Sequence, residues 1–449
     1  MAQDDGFDLI VLGSGTAGTG VARRCRAAGW RVALIESREF GGTCALRGCE
    51  PKKTFWTLTD AMERARRLAP HGVVGGEAVA MDWAAAQRFK RSFTDPVPQR
   101  REEDLEQAGI VALQGQARFT APDALELGGR RLVARHVVIA TGAHPARLPI
   151  EGAELMATSD DFLALEALPP RLLLLGGGYI SFEIAHLAAR GGSQVRILQA
   201  DRTPLAPFEQ SLVERLVRRS RDMGIAVELE AEVSALRRVA DGLEVICQDG
   251  RTFQAEMVVH GLGRRPALEG LGLEAAGVTV EKGRLVLDAH LRSTNPRIFA
   301  AGDAAAQGPA LTPVASHDAR VVASNLLEGC RRRTDYSVVP SVVFTIPSLA
   351  SVGMTEKVAK EAGVAYELRE GDMADFMSIR RTGEPAAAYK IVLEKGGGRI
   401  LGAHLLGPDA AEVITLFGFA MKAGMDAAAL SELMTAYPSG ASNISSMLG

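Results

Sequence analysis

The chain has 449 residues, more than one compact core holds, and at about 100 to 200 residues per domain it predicts two to four domains. Its 51 Lys and Arg against 54 Asp and Glu give a net charge of −3, which leaves no broad positive field for a nucleic acid or an anionic membrane, so neither partner is expected. Met1 to Asp8 carry three aspartates and no basic residue, unlike a signal or transit peptide, and no apolar run nears the roughly 18 residues of a membrane span; a soluble, cytoplasmic protein is expected. Five cysteines cannot form a disulfide scaffold in a chain of this length. Cys25, Cys247 and Cys330 stand alone, whereas Cys44 and Cys49 lie five positions apart. No Cys/His cluster has metal-ligand spacing, so no metal site is expected. The 48 glycines against 20 prolines point to ordered tight turns.

In chain order, Phe7 to Leu12 reads as an apolar strand, Thr16 to Gly29 as a helix and Arg31 to Glu36 as a second strand, a βαβ opening. Gly115 to Ala140 alternates as short antiparallel strands do and ends in the apolar strand His136 to Ala140, followed by Thr141-Gly142. Arg171 to Leu175, Ile180 to Arg190 and Gln194 to Gln199 then repeat the strand, helix and strand of the opening. From first glycine to the end of the second strand, 13 to 36 in one copy and 176 to 199 in the other, the span is the same 23 residues. Two Rossmann-like dinucleotide folds follow from this repeat. Leu243 to Cys247 and Thr252 to His260 read as strands ahead of a crossing turn, Gly261 to Pro266. Beyond Tyr336 come strands Ser341 to Thr345, Ala388 to Leu393 and Arg399 to Leu406, with helices Ala410 to Ala423 and Ala427 to Thr435. The predicted class is α/β, with two βαβ dinucleotide-binding domains and a C-terminal α+β domain.

Gly13-Ser14-Gly15-Thr16-Ala17-Gly18 lies between a strand and a helix, and Glu36 ends the next strand. Glycines at 13, 15 and 18 permit the tight turn and the close approach of a pyrophosphate to a helix N-terminus, and a carboxylate accepts ribose hydroxyls. In the second copy Gly176 and Gly178 keep the pattern, Ser181 takes the third glycine's place, and Gln199 stands where Glu36 stands in the first. A neutral amide does not repel a 2′-phosphate and Arg202 follows three residues on, which favours NADPH over NADH. Between the copies, Gly41 to Lys53 places Cys44 and Cys49 after glycines at a helix start, near Lys52 and Lys53. A helix N-terminus and nearby ammonium groups lower a thiol's pKa, so this pair predicts a redox disulfide.

These motifs, in this order and over essentially the whole chain, resemble the pyridine nucleotide-disulfide oxidoreductases, the family of glutathione reductase, dihydrolipoamide dehydrogenase and mercuric reductase. Further motifs carry the resemblance: Ala140-Thr141-Gly142, Thr294 to Asp303 (TNPRIFAAGD), Leu311 to Ala315, and Val339 to Glu356. The resemblance implies FAD and NADP or NAD as cofactors, a homodimer, and a small-molecule disulfide or related electrophile as substrate. It assigns residues 1–148 and 271–335 to a flavin domain, 149–270 to an NAD(P) domain and 336–449 to a dimerisation domain. By residue, it implies Cys44 as the interchange thiol, Cys49 as the flavin-side thiol, and Lys52 near the flavin paired with Glu183. It places Gly42, Thr43, Thr141, Gly142 and Asp303 at FAD, and Tyr179 and Gly263 at the nicotinamide nucleotide. Arg23 and Arg320 fall where glutathione reductase binds its substrate's carboxylates.

The C-terminal segment departs from the family. Where the family has His-Pro-Thr-x-x-Glu, this chain has Tyr437-Pro438-Ser439-Gly440-Ala441-Ser442. Imidazole titrates at about 6.5 and a phenol at about 10, so Tyr437 in the histidine's place is a proton donor and not a base. Reduction of a glutathione-like disulfide is the first expectation. The alternative is a mercuric-reductase-like or other non-disulfide chemistry on the same dithiol. The mercuric enzymes also carry tyrosine here, but no cysteine pair stands among the last residues, Ser446 to Gly449, and no N-terminal metal-binding domain is expected. The ketopropyl-coenzyme M carboxylating branch has phenylalanine there to avoid quenching a carbanion, which a phenol would not avoid.

Overall fold

The computed structural model describes residues 5–146 and 148–449; the first four residues, on which the leader-peptide expectation partly rests, lie outside them. The chain forms two compact units. One holds the residues up to Lys52, Lys90–Ala146 and Arg264–Tyr336; the other holds Lys53–Phe89, the stretch ending at Gly263, and Ser337–Gly449.

In the first unit, β1 (Asp5–Leu12), α1 (Thr16–Ala27) and β2 (Val32–Glu36) form the opening βαβ. Helices α2 (Gly42–Arg47) and α3 (Cys49–Leu68) follow. Strands β3 (Val111–Gln114), β4 (Ala117–Ala121), β5 (Ala124–Leu127) and β6 (Arg130–Ile139) complete a sheet of order β3-β2-β1-β6-β5-β4, with Ile298–Ala300 added parallel to β6. The strands β3, β2, β1 and β6 are mutually parallel, and Leu9, Ile10, Val11 and Leu34 are fully buried, as strands covered on both faces require. Each such side chain contributes about 1.5–3 kcal/mol of burial. Gly13 turns with φ of 104°, and a side chain at Gly18 would collide with the Gly13 carbonyl, so the turn can close on α1 only with glycine at both positions. Cys25 packs on α1, where burial pushes its thiol up to about 12, which makes it a core residue without redox reactivity.

In the second unit, β7 (Arg171–Leu175), β8 (Gln194–Leu198), β9 (Ile225–Glu228) and β10 (Met257–His260) form a parallel sheet of order β9-β8-β7-β10, with α4 (Tyr179–Arg190) after the glycine turn. Thr252 to His260, expected as one strand, is two. Thr252–Ala255 joins an antiparallel three-stranded sheet and β10 joins the parallel one. The break falls at Glu256, whose carboxylate accepts from the Arg171 backbone N–H at 2.7 Å and its guanidinium at 2.5 Å. Ser181 fits where the third glycine was expected because Gly261 faces it; a side chain at Gly261 would collide with the Ser181 hydroxyl. The last region is a five-stranded antiparallel sheet from Ser341–Val343 to Tyr366–Asp372, packed by helix Ala410–Ala423. The final predicted helix is shorter than expected, Ala427–Ser431.

Candidate active site

The first glycine turn opens on a cleft of about 410 Å³ in the first unit. Gly13, Gly15, Glu36, Gly42, Thr43, Thr141 and Gly142 line it, whereas Gly18 serves packing. Glu36 is nearly buried and its carboxylate is occupied by the turn itself: one oxygen accepts from the Ser14 N–H at 2.9 Å and hydroxyl at 2.6 Å, the other from the Arg38 N–H at 2.9 Å. The Ser14 hydroxyl in turn accepts from the Gly41 N–H at 2.9 Å, which ties the dinucleotide turn to the dithiol segment. A side chain at Gly42 would strike the Gly15 backbone, so two glycine backbones meet at the floor of the cleft. Donor-rich backbone, a helix N-terminus and a carboxylate around a cleft of this kind fit an adenine dinucleotide. On the far side, the Thr141 hydroxyl donates to the Ala267 carbonyl at 2.7 Å. Burial pushes the Asp303 carboxyl up, with Arg264 pulling the other way. Asp318 is also buried, and this holds its carboxyl up at about 6. It accepts from the Gly302 N–H at 2.9 Å and the Tyr336 hydroxyl at 2.8 Å.

Cys44 lies on α2 and Cys49 begins α3, with Gly48 between the helices; both are free thiols. The Thr312 hydroxyl, at the first position of helix Thr312–Glu328, donates to Cys44 Sγ at 3.0 Å and lies 3.4 Å from Cys49 Sγ. Their acidities are split. A hydrogen bond from Cys44, reinforced by Thr312 and the Lys52 ammonium, draws the Cys49 thiol down to about 6. The same bond and burial push Cys44 well above the ordinary thiol range. Negative charge therefore rests on Cys49 in the dithiol state. Sequence reasoning picked out the motif Leu311 to Ala315 but did not place Thr312 at the thiols, because it stands 268 positions from Cys44 along the chain.

In the second unit, Gln199 copies half of what Glu36 does, its carbonyl oxygen accepting from the Gly177 N–H at 2.6 Å. Arg202 is exposed and pairs with Glu230 at 2.7 Å. Gly178 caps α4, Tyr179 opens it partly exposed, and Glu183 is buried one turn on, accepting from the Phe344 N–H at 2.9 Å. Gly176 accepts no side chain without striking Gly261, and Gly263 turns with φ of 103° beyond β10. Tyr437 is exposed, 78 %, ahead of a cis Pro438. Ser442, in the place of the family's glutamate, donates its hydroxyl to the Ser439 carbonyl at 2.7 Å and so closes its own turn. Arg23 pairs with Asp104 at 3.2 Å on the outer side of α1, and Arg320 is exposed. His404 is buried with its ring nitrogens against the Ser351 hydroxyl, 2.7 Å, and the Met354 carbonyl, 3.0 Å. No group of residues able to hold a metal ion occurs among the described residues.

Two thiols of split acidity, on a segment bonded to one nucleotide turn in a chain that carries a second, define a dithiol oxidoreductase of the nucleotide-dependent kind. Residues 7–319 match the family described as pyridine nucleotide-disulphide oxidoreductase, and residues 339–448 match its dimerisation domain. The chain belongs to this family of flavin-dependent enzymes, which work with FAD and a pyridine nucleotide. It is 34% identical to mercuric reductase of Streptomyces lividans over 433 residues, covering 94% of this chain and 91% of that one. It is 33% identical to glutathione reductase of Burkholderia cepacia, covering 93% of each. Among solved structures it is similar to the Cu(II) complex of the HOCl-induced flavoprotein disulfide reductase RclA of Escherichia coli, at 29% identity, TM-score 0.90 and 99% of both chains. No helix among the described residues is long and apolar enough to cross a membrane.

Proposed function

We propose that the protein is a homodimeric, cytoplasmic NAD(P)H:disulfide oxidoreductase that reduces a small disulfide at Cys44 and Cys49. The observation that carries this reading is the pair of free thiols at the junction of two helices, both within reach of the Thr312 hydroxyl, at 3.0 Å from Cys44 and 3.4 Å from Cys49. Gly13, Gly15, Glu36, Gly42, Thr43, Thr141, Gly142 and Asp303 would hold FAD, and Gly176, Gly178, Tyr179, Gln199 and Gly263 the pyridine nucleotide, with the Lys52 ammonium favouring the thiolate at Cys49. FAD, when bound, supplies two-electron transfer between the nicotinamide and the thiols. On the substrate side, the Cys44 thiolate attacks one sulfur of the disulfide, forming a mixed disulfide and releasing the first thiolate. The Cys49 thiolate then attacks Cys44 Sγ, closing Cys44–Cys49 and releasing the second. Tyr437, exposed in the dimerisation domain, would donate a proton to a leaving thiolate from the partner subunit. NADPH is favoured over NADH because Gln199 carries no charge and because Arg202, exposed and paired only with the exposed Glu230, is open to exchange that partner for a phosphate. Arg23 is already paired with Asp104, which weakens the case for glutathione as the particular disulfide.

Replacing Cys44 with Ser tests the assignment. Reduction of bound flavin by NADPH should persist while disulfide turnover falls by at least about a thousandfold; surviving turnover would remove Cys44 from its role. A second reading, reduction of a soft metal ion held by the two sulfurs, is favoured by Tyr437 in place of an imidazole and by the likeness to a mercuric reductase. A panel of glutathione disulfide, lipoamide, coenzyme A disulfide and mercuric ion, run with NADPH and NADH, separates the two.

A further inference from the structure

Thr43 and Arg47 stand four positions apart on α2, so one turn of helix sets them on the same face, and both line the cleft of the first unit. Two arginines line that cleft, Arg38 and Arg47. Arg38 is exposed, whereas the Arg47 side chain is only 16 % exposed. Its Nη1 donates to a Glu39 carboxylate oxygen at 2.7 Å, and the Glu39 side chain is 60 % exposed. We propose, resting on the reading of this cleft as the FAD site, that Arg47 is a cofactor-binding residue whose guanidinium recognises the dinucleotide's diphosphate and so joins the dithiol helix to the bound flavin nucleotide.

The chemistry of the cleft wall points the same way. The glycine turn offers backbone N–H donors but no net charge, and a diphosphate carries negative charge into a cleft partly closed to water, where a cation counts for more than in bulk solvent. A guanidinium presents five donors in a planar fork that fits phosphate oxygens in pairs. The bond to Glu39 is made from Nη1, and Glu39 stands mostly in water. A pair with one partner so exposed is weak, and the fork can exchange that carboxylate for phosphate oxygens or be shared between the two at little cost. The position along the chain gives the contact its consequence. Helix α2 is fixed at its start, where the Gly42 backbone meets that of Gly15 on the cleft floor. Arg47 is its last residue, directly ahead of Gly48 and Cys49 and three positions after Cys44. A diphosphate held at Arg47 therefore restrains the second end of the short helix that joins the two sulfurs.

The test is the Kd of FAD for the full chain stripped of flavin, followed by the change in flavin fluorescence, with ADP and adenosine as competitors. Arg47→Gln removes the charge, Arg47→Lys keeps the charge without the fork, and Glu39→Gln removes the carboxylate partner alone. The expected result is a Kd raised by about ten- to a hundredfold in Arg47→Gln, the scale of one charge-assisted hydrogen bond, with Arg47→Lys in between and Glu39→Gln within about twofold of the parent. In Arg47→Gln, competition by ADP should weaken about as much as binding of FAD, while competition by adenosine, which has no phosphate, should stay as in the parent. An FAD Kd unchanged in both Arg47 variants would overturn the proposal. So would a Glu39→Gln effect as large as that of Arg47→Gln, which would make the ion pair and not the phosphate the reason for Arg47, or an equal loss of ADP and adenosine. Failure of the FAD reading itself would appear differently, as parent protein that takes up no FAD, and would remove the proposal with it.

Discussion

The two glycine turns share a spacing but not a wiring. In both, a residue at or just past the end of the second strand accepts from the N–H of the turn's second residue, Glu36 from Ser14 and Gln199 from Gly177. The first turn adds a side chain, and the Ser14 hydroxyl joins Glu36 to the Gly41 N–H and hence to the dithiol segment. The second has glycine there and makes no such connection. One motif thus has two wirings: the first copy is bonded into the dithiol segment through a serine hydroxyl, whereas the second has only glycine at that place and an uncharged residue just past its second strand. This arrangement matches a nucleotide that stays bound in the first copy and one that exchanges at the second.

Three substitutions sharpen that contrast. Glu36→Ala leaves the Ser14 N–H, the Ser14 hydroxyl and the Arg38 N–H without their buried acceptor, each at about 1–3 kcal/mol if water does not replace it. Thermal unfolding should move down by several degrees and the purified protein should lose flavin absorbance; a protein with undiminished melting temperature and flavin content would show that Glu36 is not the anchor of the first turn. Gln199→Glu keeps the acceptor for Gly177 but adds a negative charge, so stability should hold while the ratio of kcat/KM for NADPH to NADH falls by about ten- to a hundredfold, the scale of one uncompensated close charge contact. An unchanged ratio would place the 2′-phosphate elsewhere. The smallest effect is expected for Ser14→Gly, which makes the first turn resemble the second and removes one link to Gly41, at about 1 kcal/mol. Differential scanning calorimetry on the holoenzyme measures it, and an effect as large as that of Glu36→Ala would mean the loop connection matters more than the turn.

Both βαβ units were legible because an unbroken apolar run, a glycine turn and a small-residue helix are local signals, set by what a parallel strand buries and by the positive φ at Gly13. The thiol pair was legible for the same reason: its spacing is short. What the sequence concealed is long-range. The single run Thr252 to His260 became two strands in two sheets because Glu256 is captured by Arg171, 85 positions away. Thr312 reaches the sulfurs only through the fold, and nothing in the sequence shows that the Glu36 carboxylate also ties its own turn together by accepting from Ser14 and Arg38. The Tyr437 and Ser442 substitutions were visible at once, yet only the coordinates show Ser442 closing its own turn.

The central claim, that Cys44 and Cys49 form a working dithiol with its charge on Cys49, is tested most directly by anaerobic titration of the holoenzyme with NADPH, followed by absorbance between pH 5 and 8. With the Cys49 thiolate drawn down to about 6, a long-wavelength thiolate–flavin band should appear on addition of two electrons at pH 8, persist at pH 7, and fade as the pH drops through about 6 and the sulfur is protonated. Reduction that bleaches the flavin with no such band at any pH, or a band that is independent of pH down to 5, would contradict the account.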